Sequence, residues 1–96
     1  MYTGADILKI LGGQEFAKKA KAYNFHDYNN TLTFFLTDNV SKDKINRVMI
    51  RLETNDCCEI VFSHIVKTKI RIVRKIFSVP VRNILTIFEK NTGIKI

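Results

Sequence analysis

Histidine and cysteine are the side chains of this sequence best suited to metal binding or covalent chemistry, and there are only four of them. His26 and His64 have no second ligand at a metal-binding spacing such as Cys-x-x-Cys or His-x-x-x-His. Cys57 and Cys58 are neighbours in a stretch with strand periodicity, so they point to opposite faces. Cys57 and His64 would make a nucleophile and a base, but no orienting asparagine or oxyanion site accompanies them. These residues predict neither a metal site nor a catalytic centre.

Glycines and acidic residues also lack a chemical arrangement. Gly12-Gly13 is not followed by the Gly-Lys-Ser/Thr of a phosphate-binding loop, and the acids are scattered singly along the chain. The sequence therefore predicts a protein that is not an enzyme and needs no cofactor. The basic residues are the more informative ones.

Positive charge is concentrated at the end of the chain. Residues 1–66 carry eight basic and eight acidic residues, whereas residues 67–96 carry eight basic residues against Glu89 alone. The whole net charge of +7 thus belongs to the last segment. A field of one sign in a small domain favours an anionic partner, such as nucleic acid or an acidic protein surface. A solvated, aggregation-resistant surface explains such a charge run equally well.

Length and composition describe one soluble domain, residues 1–96, of which 46% are hydrophobic. Two adjacent cysteines form no disulfide framework, and the amino terminus lacks the basic and apolar regions of a signal peptide. No apolar run approaches the ~18 residues that span a bilayer. We therefore expect a protein of a reducing cytoplasm that contacts no membrane.

Helices are expected at both ends of the chain. A helical segment over residues 4–22 starts at a weakened capping box, Thr3 with Asp6, and is broken at Gly12-Gly13. A second helix is expected over "VPVRNILTIFEKNTG" at the end of the chain. Its proline suits the first turn, and Gly93 suits the position after the cap. Its apolar residues repeat at helical spacing and predict a stripe that faces the core.

Four strands are expected between the helices, within residues 31–77. They are "TLTFFLT", "INRVMIRLE", "CCEIVF" and "KTKIRIVRKIF", and "NFHDYNN" is interpreted as turn material that precedes them. Short connections favour antiparallel pairing. The sequence thus predicts an α+β fold, a four-stranded antiparallel meander with both helical segments on one face.

The last strand combines the basic residues with an apolar alternation. Ile70, Ile72 and Ile76 share one parity and are expected under the helices, with the basic residues on the open face. Arg74 shares the parity of Ile72, which indicates a bulge or a protected edge. Parity predicts a candidate partner-binding or nucleic-acid-binding site on the open face, consisting of Phe35, Arg47, Met49, Arg51, Lys67, Lys69, Arg71 and Lys75.

The chain resembles a family of small uncharacterised proteins from phages, prophages and conjugative elements, which also occurs as a module at the end of large polyvalent phage proteins. The residues that carry the resemblance are "ILKILGG" with Phe16, then "NTLTFFL", "INRVMIRL", "NDCCEIVF" and "LTIFEKNTG". It covers residues 7–96. The chain departs where Cys58 and Lys95 replace usual aromatics, and where an Arg-Gly turn is missing near Val66-Lys67. The resemblance implies a shared fold and a mobile-element setting, and it implies no activity.

Three functions remain open on this basis. The first is a non-catalytic, phage-type accessory protein that binds and modulates a host protein or ribonucleoprotein complex that handles nucleic acid, as an anti-CRISPR-type inhibitor of host defence would. The second is an autonomous single-stranded RNA- or DNA-binding protein that uses a basic sheet face. The third is a dimerising structural component of a virion or transfer apparatus. The predicted oligomeric state is accordingly a monomer or a homodimer in the host cytoplasm.

Overall fold

The computed structural model describes residues 2–96, which form a five-stranded antiparallel sheet with three α-helices on one face. The helices are α1 (Gly4–Leu11), α2 (Gly13–Ala20) and α3 (Ile84–Thr92). The strands are β1 (Ala22–Tyr28), β2 (Thr31–Leu36), β3 (Arg47–Leu52), β4 (Cys57–Val66) and β5 (Lys69–Pro80), and short 3-10 turns at Lys42–Lys44 and Val81–Asn83 precede β3 and α3. Each strand pairs with the next, so the sheet is a meander. The predicted α+β class is confirmed, and the predicted number of strands is wrong by one.

The break in the amino-terminal helical segment lies where it was predicted. The Thr3 hydroxyl accepts a hydrogen bond from the Asp6 amide at 3.3 Å, and the Asp6 carboxylate accepts one from the Thr3 amide at 2.8 Å. These bonds, first to the Thr3 backbone and then to its side chain, lower the pKa of the Asp6 carboxyl. The first helix ends at Gly12, whose φ of 125° is a conformation that favours glycine.

Three phenylalanines form the centre of the core. Phe16 from α2 lies between Phe34 of β2 and Phe88 of α3, with ring centroids 5.6 and 5.0 Å away. All three side chains are at most 1% exposed. The inward residues of β2, β3 and β4 are buried beneath the helices as their alternation predicts, namely Leu32, Phe34, Leu36, Val48, Ile50, Leu52, Cys58, Ile60 and Phe62.

The additional strand is β1, in the segment that was interpreted as turn material. Its pairing with β2 is irregular between Tyr23 and His26, and Asn24 has a φ of 55°. The bulge puts Tyr23 and His26 on the same face and lets Phe25 stack on Phe34 at 5.0 Å on the other. Because the bulge breaks the alternation, the strand has no clear period in the sequence.

The first half of β5 faces the opposite way from the prediction. Phe62 of β4 pairs with Arg74, but the next residue, Ser63, pairs with Ile72, so Val73 is an extra residue. One extra residue moves every preceding side chain of the strand to the other face. Ile70 and Ile72 are therefore on the open face and more than half exposed, instead of lying under the helices. The bulge predicted near Arg74 is confirmed, and it is the reason that the predicted faces are wrong.

Phe88→Ala is expected to lower the free energy of unfolding by about 3–5 kcal/mol, because it removes a ring from the centre of the core. Urea unfolding followed by circular dichroism measures this change. Phe77→Ala is the matched control, since Phe77 is 57% exposed and its loss is expected to cost less than about 0.5 kcal/mol. Equal effects of the two substitutions would contradict the assignment of the core.

Candidate binding face

The candidate site is the sheet face that the helices leave uncovered, called the open face below. The strand register arranges its side chains in three rows, of which two cross all five strands and the third crosses β1 to β4. These rows are Tyr23, Phe35, Arg47, Ser63 and Ile72; His26, Thr33, Met49, Val61 and Lys75; and Tyr28, Thr31, Arg51 and Glu59. Ile70 lies beyond the first row, and Phe77 lies two residues after Lys75 on β5.

Large apolar side chains are exposed together on this face. Seven are exposed among residues 2–96, and five of these belong to the open face. Their exposed fractions range from 49% to 76%, and they are Tyr23, Tyr28, Ile70, Ile72 and Phe77. Exposed apolar residues are ordinary when scattered and informative when they cluster. The sequence prediction placed one aromatic residue here, Phe35. It missed Tyr23 and Tyr28 because β1 was interpreted as turn material, and it left out Phe77 although Phe77 shares the parity of Lys75.

An aromatic pair lies at the β1 edge of the face. The rings of Tyr23 and Phe35 are stacked, with centroids 5.9 Å apart and planes inclined by 29°. Arg47 is opposite Phe35 on the next strand, so a cation adjoins the pair. At the other edge, the Lys75 ammonium lies 5.9 Å from the centroid of the Phe77 ring. Both edges of the face thus combine a flat ring with a positive charge.

Charge on the open face is partly compensated from within. Arg51 Nη2 donates to Glu59 Oε1 at 2.6 Å, and Lys75 Nζ lies 4.0 Å from Glu59 Oε2. The Glu59 side chain is only 5% exposed, so its carboxylate depends on these cations instead of water. Within residues 2–96, no carboxylate lies within 4.0 Å of Arg47. Arg47 is therefore the basic residue of this face that is free to contact a partner, while Arg51 has a structural role.

The predicted site is divided between two regions of the molecule. Five of its residues lie together on the open face, namely Phe35, Arg47, Met49, Arg51 and Lys75. Lys67 lies in the turn between β4 and β5, where its φ is 57°. Lys69 and Arg71 pair with Val66 and His64 and point to the helical side. Their predicted place on the open face is wrong, because the bulge at Val73 separates them from Lys75.

The histidines and cysteines lie apart from one another. His64 Nδ1 donates to the Lys44 carbonyl oxygen at 2.7 Å, which gives the ring a role in holding the loop before β3. Cys57 and His64 are seven residues apart on opposite faces of β4, about 23 Å along the strand. This distance excludes them as a nucleophile and base in the same site. Nowhere in residues 2–96 do three or more potential metal ligands form a group.

Comparison of this chain with protein-family models, curated proteins and solved structures finds no match. No family is assigned to it. The resemblance to phage and conjugative-element proteins stays a prediction from the sequence.

No helix in the described part of the chain is long and apolar enough to cross a membrane.

Arg51→Ala is expected to lower the free energy of unfolding by about 1–3 kcal/mol, because the buried Glu59 carboxylate is left without its short hydrogen bond. The same change should cost clearly less in a Glu59→Gln background, where no buried charge depends on the arginine. Urea titrations of the four proteins measure this coupling. Arg47→Ala is the control and should be nearly neutral, since no carboxylate depends on it. An uncoupled pair would contradict the structural role of Arg51.

The two cysteines are expected to differ sharply towards iodoacetamide. Burial, and then the neighbouring Cys57, raises the pKa of the Cys58 thiol to about 12, and its Sγ donates to the Val79 carbonyl oxygen at 3.4 Å. At pH 8 mass spectrometry should therefore detect one modified cysteine, the partly exposed Cys57, and a second only after unfolding. In the unfolded chain the Cys58 thiol ionises from about pH 9.0, whereas in the folded chain it keeps its proton up to about 12. The free energy of unfolding is therefore expected to fall as the pH rises through this range. Native labelling of the Cys57→Ser variant would contradict the burial of Cys58.

Proposed function

We propose that this protein is a non-catalytic accessory protein of a mobile element, which binds a host nucleic-acid-handling complex and modulates it through the open face. The observation that carries the proposal is that five of the seven exposed large apolar side chains of residues 2–96 lie on that one face, two on β1 and three on β5. The mobile-element setting, and inhibition of the anti-CRISPR type within it, is supported by the sequence resemblance alone.

The composition of the open face favours a protein component of the complex as its partner. Tyrosine, phenylalanine, methionine and arginine are enriched in the cores of protein interfaces and among the residues that dominate binding energy. All four types occur in the rows defined above, with the half-buried Met49 at the centre beside Val61, which is 6% exposed.

Charge on the face restricts the surface of that partner. The cations Arg47, Arg51 and Lys75 outnumber the single carboxylate, Glu59, which already accepts a hydrogen bond from Arg51. The partner is therefore expected to present an apolar surface with acidic groups opposite Arg47. Since the same charge would repel a second copy of this chain, self-association through the open face is disfavoured.

A second candidate function is autonomous binding of single-stranded nucleic acid on the same face. The observation that favours it is the stacked pair of Tyr23 and Phe35 beside Arg47. Nucleobases stack on such rings, at about 1–3 kcal/mol per base, while arginine contacts the phosphates. This candidate predicts binding to plain oligonucleotides, whereas the first predicts binding to a protein.

The double variant Tyr23→Ala/Ile72→Ser is expected to release the partner that the wild type captures from the host cell, with affinity for the purified partner at least tenfold weaker. Both changes remove exposed apolar side chains and empty no core, so circular dichroism should be unchanged. Tyr2→Ala/Val66→Ser is the matched control, because these two side chains are also exposed but lie off the open face.

Each outcome of this experiment decides whether the open face is the binding site, and for which kind of partner. Equal affinity of the double variant and the wild type would exclude the open face as the binding site. Capture that nuclease treatment abolishes, with binding of the wild type to a bare oligonucleotide that the double variant weakens, would favour the second candidate. A stable wild-type dimer in light scattering that the double variant cannot form would show self-association, as expected for a structural component.

A further inference from the structure

The helical side of β5 carries a second charged surface, which we call the basic groove and define as Lys42, Lys44, Arg71, Arg74 and Lys90. It consists of two adjoining depressions of about 450 and 420 Å³ that share Arg74. Lys44 and Arg71 line the first, and Lys42 and Lys90 line the second. The five cations come from the 3-10 turn before β3, from β5 and from α3. Residues distant in sequence are thus brought together on a face opposite to the open face.

Charge in the basic groove is not compensated by the protein. Asp43 is the one acidic residue among those that line the two depressions. Within residues 2–96, none of the five cations lies within 4.0 Å of a carboxylate. Five positive charges against one negative charge produce a strong local field that attracts anions.

Two of the cations are held in place by buried or hydrogen-bonded neighbours. Arg74 Nη1 donates to Asn91 Oδ1 at 2.6 Å, and Asn91 is 5% exposed and donates in turn to the Ile87 carbonyl oxygen. Lys44 has a left-handed backbone, with φ of 59°, and its carbonyl oxygen accepts the hydrogen bond from His64. Left-handed lysine is unfavourable and persists where the surroundings hold it. The structure therefore preorganises the Arg74 guanidinium and the Lys44 backbone, and a fixed guanidinium lowers the entropic cost of binding a ligand in the groove.

We infer that the basic groove binds the phosphate backbone of single-stranded nucleic acid. Arg71 and Arg74 are opposite His64 and Phe62, two residues apart on β4, so their backbones are about 7 Å apart along the strand. Lys42 and Lys90 extend the positive charge into the second depression, so the groove suits a chain of phosphates better than one small anion. Guanidinium groups suit phosphate recognition because they donate in a planar fork. None of the described residues that line the two depressions is aromatic, so the groove would bind the backbone without stacking on bases or reading them. The groove shares no residue with the open face, so the proposed role of either surface can be disproved without affecting the other.

Fluorescence anisotropy with labelled 20-nucleotide oligo(U) and oligo(dT) tests the inference at two or more salt concentrations. The wild type should bind both, with affinity that falls as salt rises. Arg71→Gln/Lys90→Gln should weaken binding about tenfold or more and reduce the salt slope by about one unit for each phosphate that the variant no longer binds. Both side chains are exposed and lack hydrogen-bond partners among the described residues, so the fold should be unaffected. The oligo(U) and oligo(dT) arms distinguish RNA from DNA as the source of the strand.

Two controls make the experiment decisive. Lys9→Gln/Lys18→Gln also removes two positive charges, but from α1 and α2, and should leave the affinity for the oligonucleotides nearly unchanged. Tyr23→Ala changes the open face only: retained affinity is expected if the groove binds the oligonucleotide, and lost affinity would assign the oligonucleotide to the open face and overturn the inference. The inference is overturned if the groove variant binds like the wild type, if the Lys9/Lys18 control weakens binding equally, or if the wild type does not bind. Tighter binding to a poly-glutamate peptide than to either oligonucleotide would assign the groove to an acidic protein instead.

Discussion

A β-strand directs successive side chains to opposite faces, and the distribution of chemistry in this protein depends on one interruption of that rule. The extra residue at Val73 puts Ile70 and Ile72 on the open face and Arg71 on the helical side. A regular strand would have made one face apolar and covered, and the other face basic. The bulge instead gives each face some of both, so the sheet has two surfaces with different character.

The two surfaces correspond to two kinds of contact. The open face presents aromatic and aliphatic side chains around Arg47, and its single carboxylate is satisfied internally. The basic groove presents cations without an acidic neighbour within ion-pair distance, and none of the described residues that line it is aromatic. A complex made of protein and nucleic acid offers partners for both surfaces. This small protein could contact the protein component through the open face and the nucleic acid through the basic groove.

Most of the architecture could be predicted because β2, β3, β4 and the helices obey simple periods. Their inward residues alternate strictly or repeat at helical spacing, and the structure buries them as predicted. The failures have one physical cause, which is the β-bulge. The bulge near Asn24 breaks the alternation of β1, so the strand could not be recognised in the sequence. The extra residue Val73 moves the side chains of the first half of β5 to the opposite faces of the sheet. Neither residue is a glycine, so the sequence contains no strong signal for a bulge there. The part of the candidate face on β2 and β3 was therefore predictable, together with Lys75, which follows the bulge on β5.

The irregular strands are also the two outermost ones. In a sheet of order β1-β2-β3-β4-β5, β1 has a bulge near Asn24, and β5 has one at Val73 and another near Ser78, whose φ is 57°. A peptide that joins a sheet by β-augmentation needs an uninterrupted row of free amides and carbonyls along an edge. Both edges lack such a row over their full length, which also discourages fibril-like stacking of copies. We therefore expect a partner to contact the faces of the sheet and their side chains, and not to add a strand to an edge.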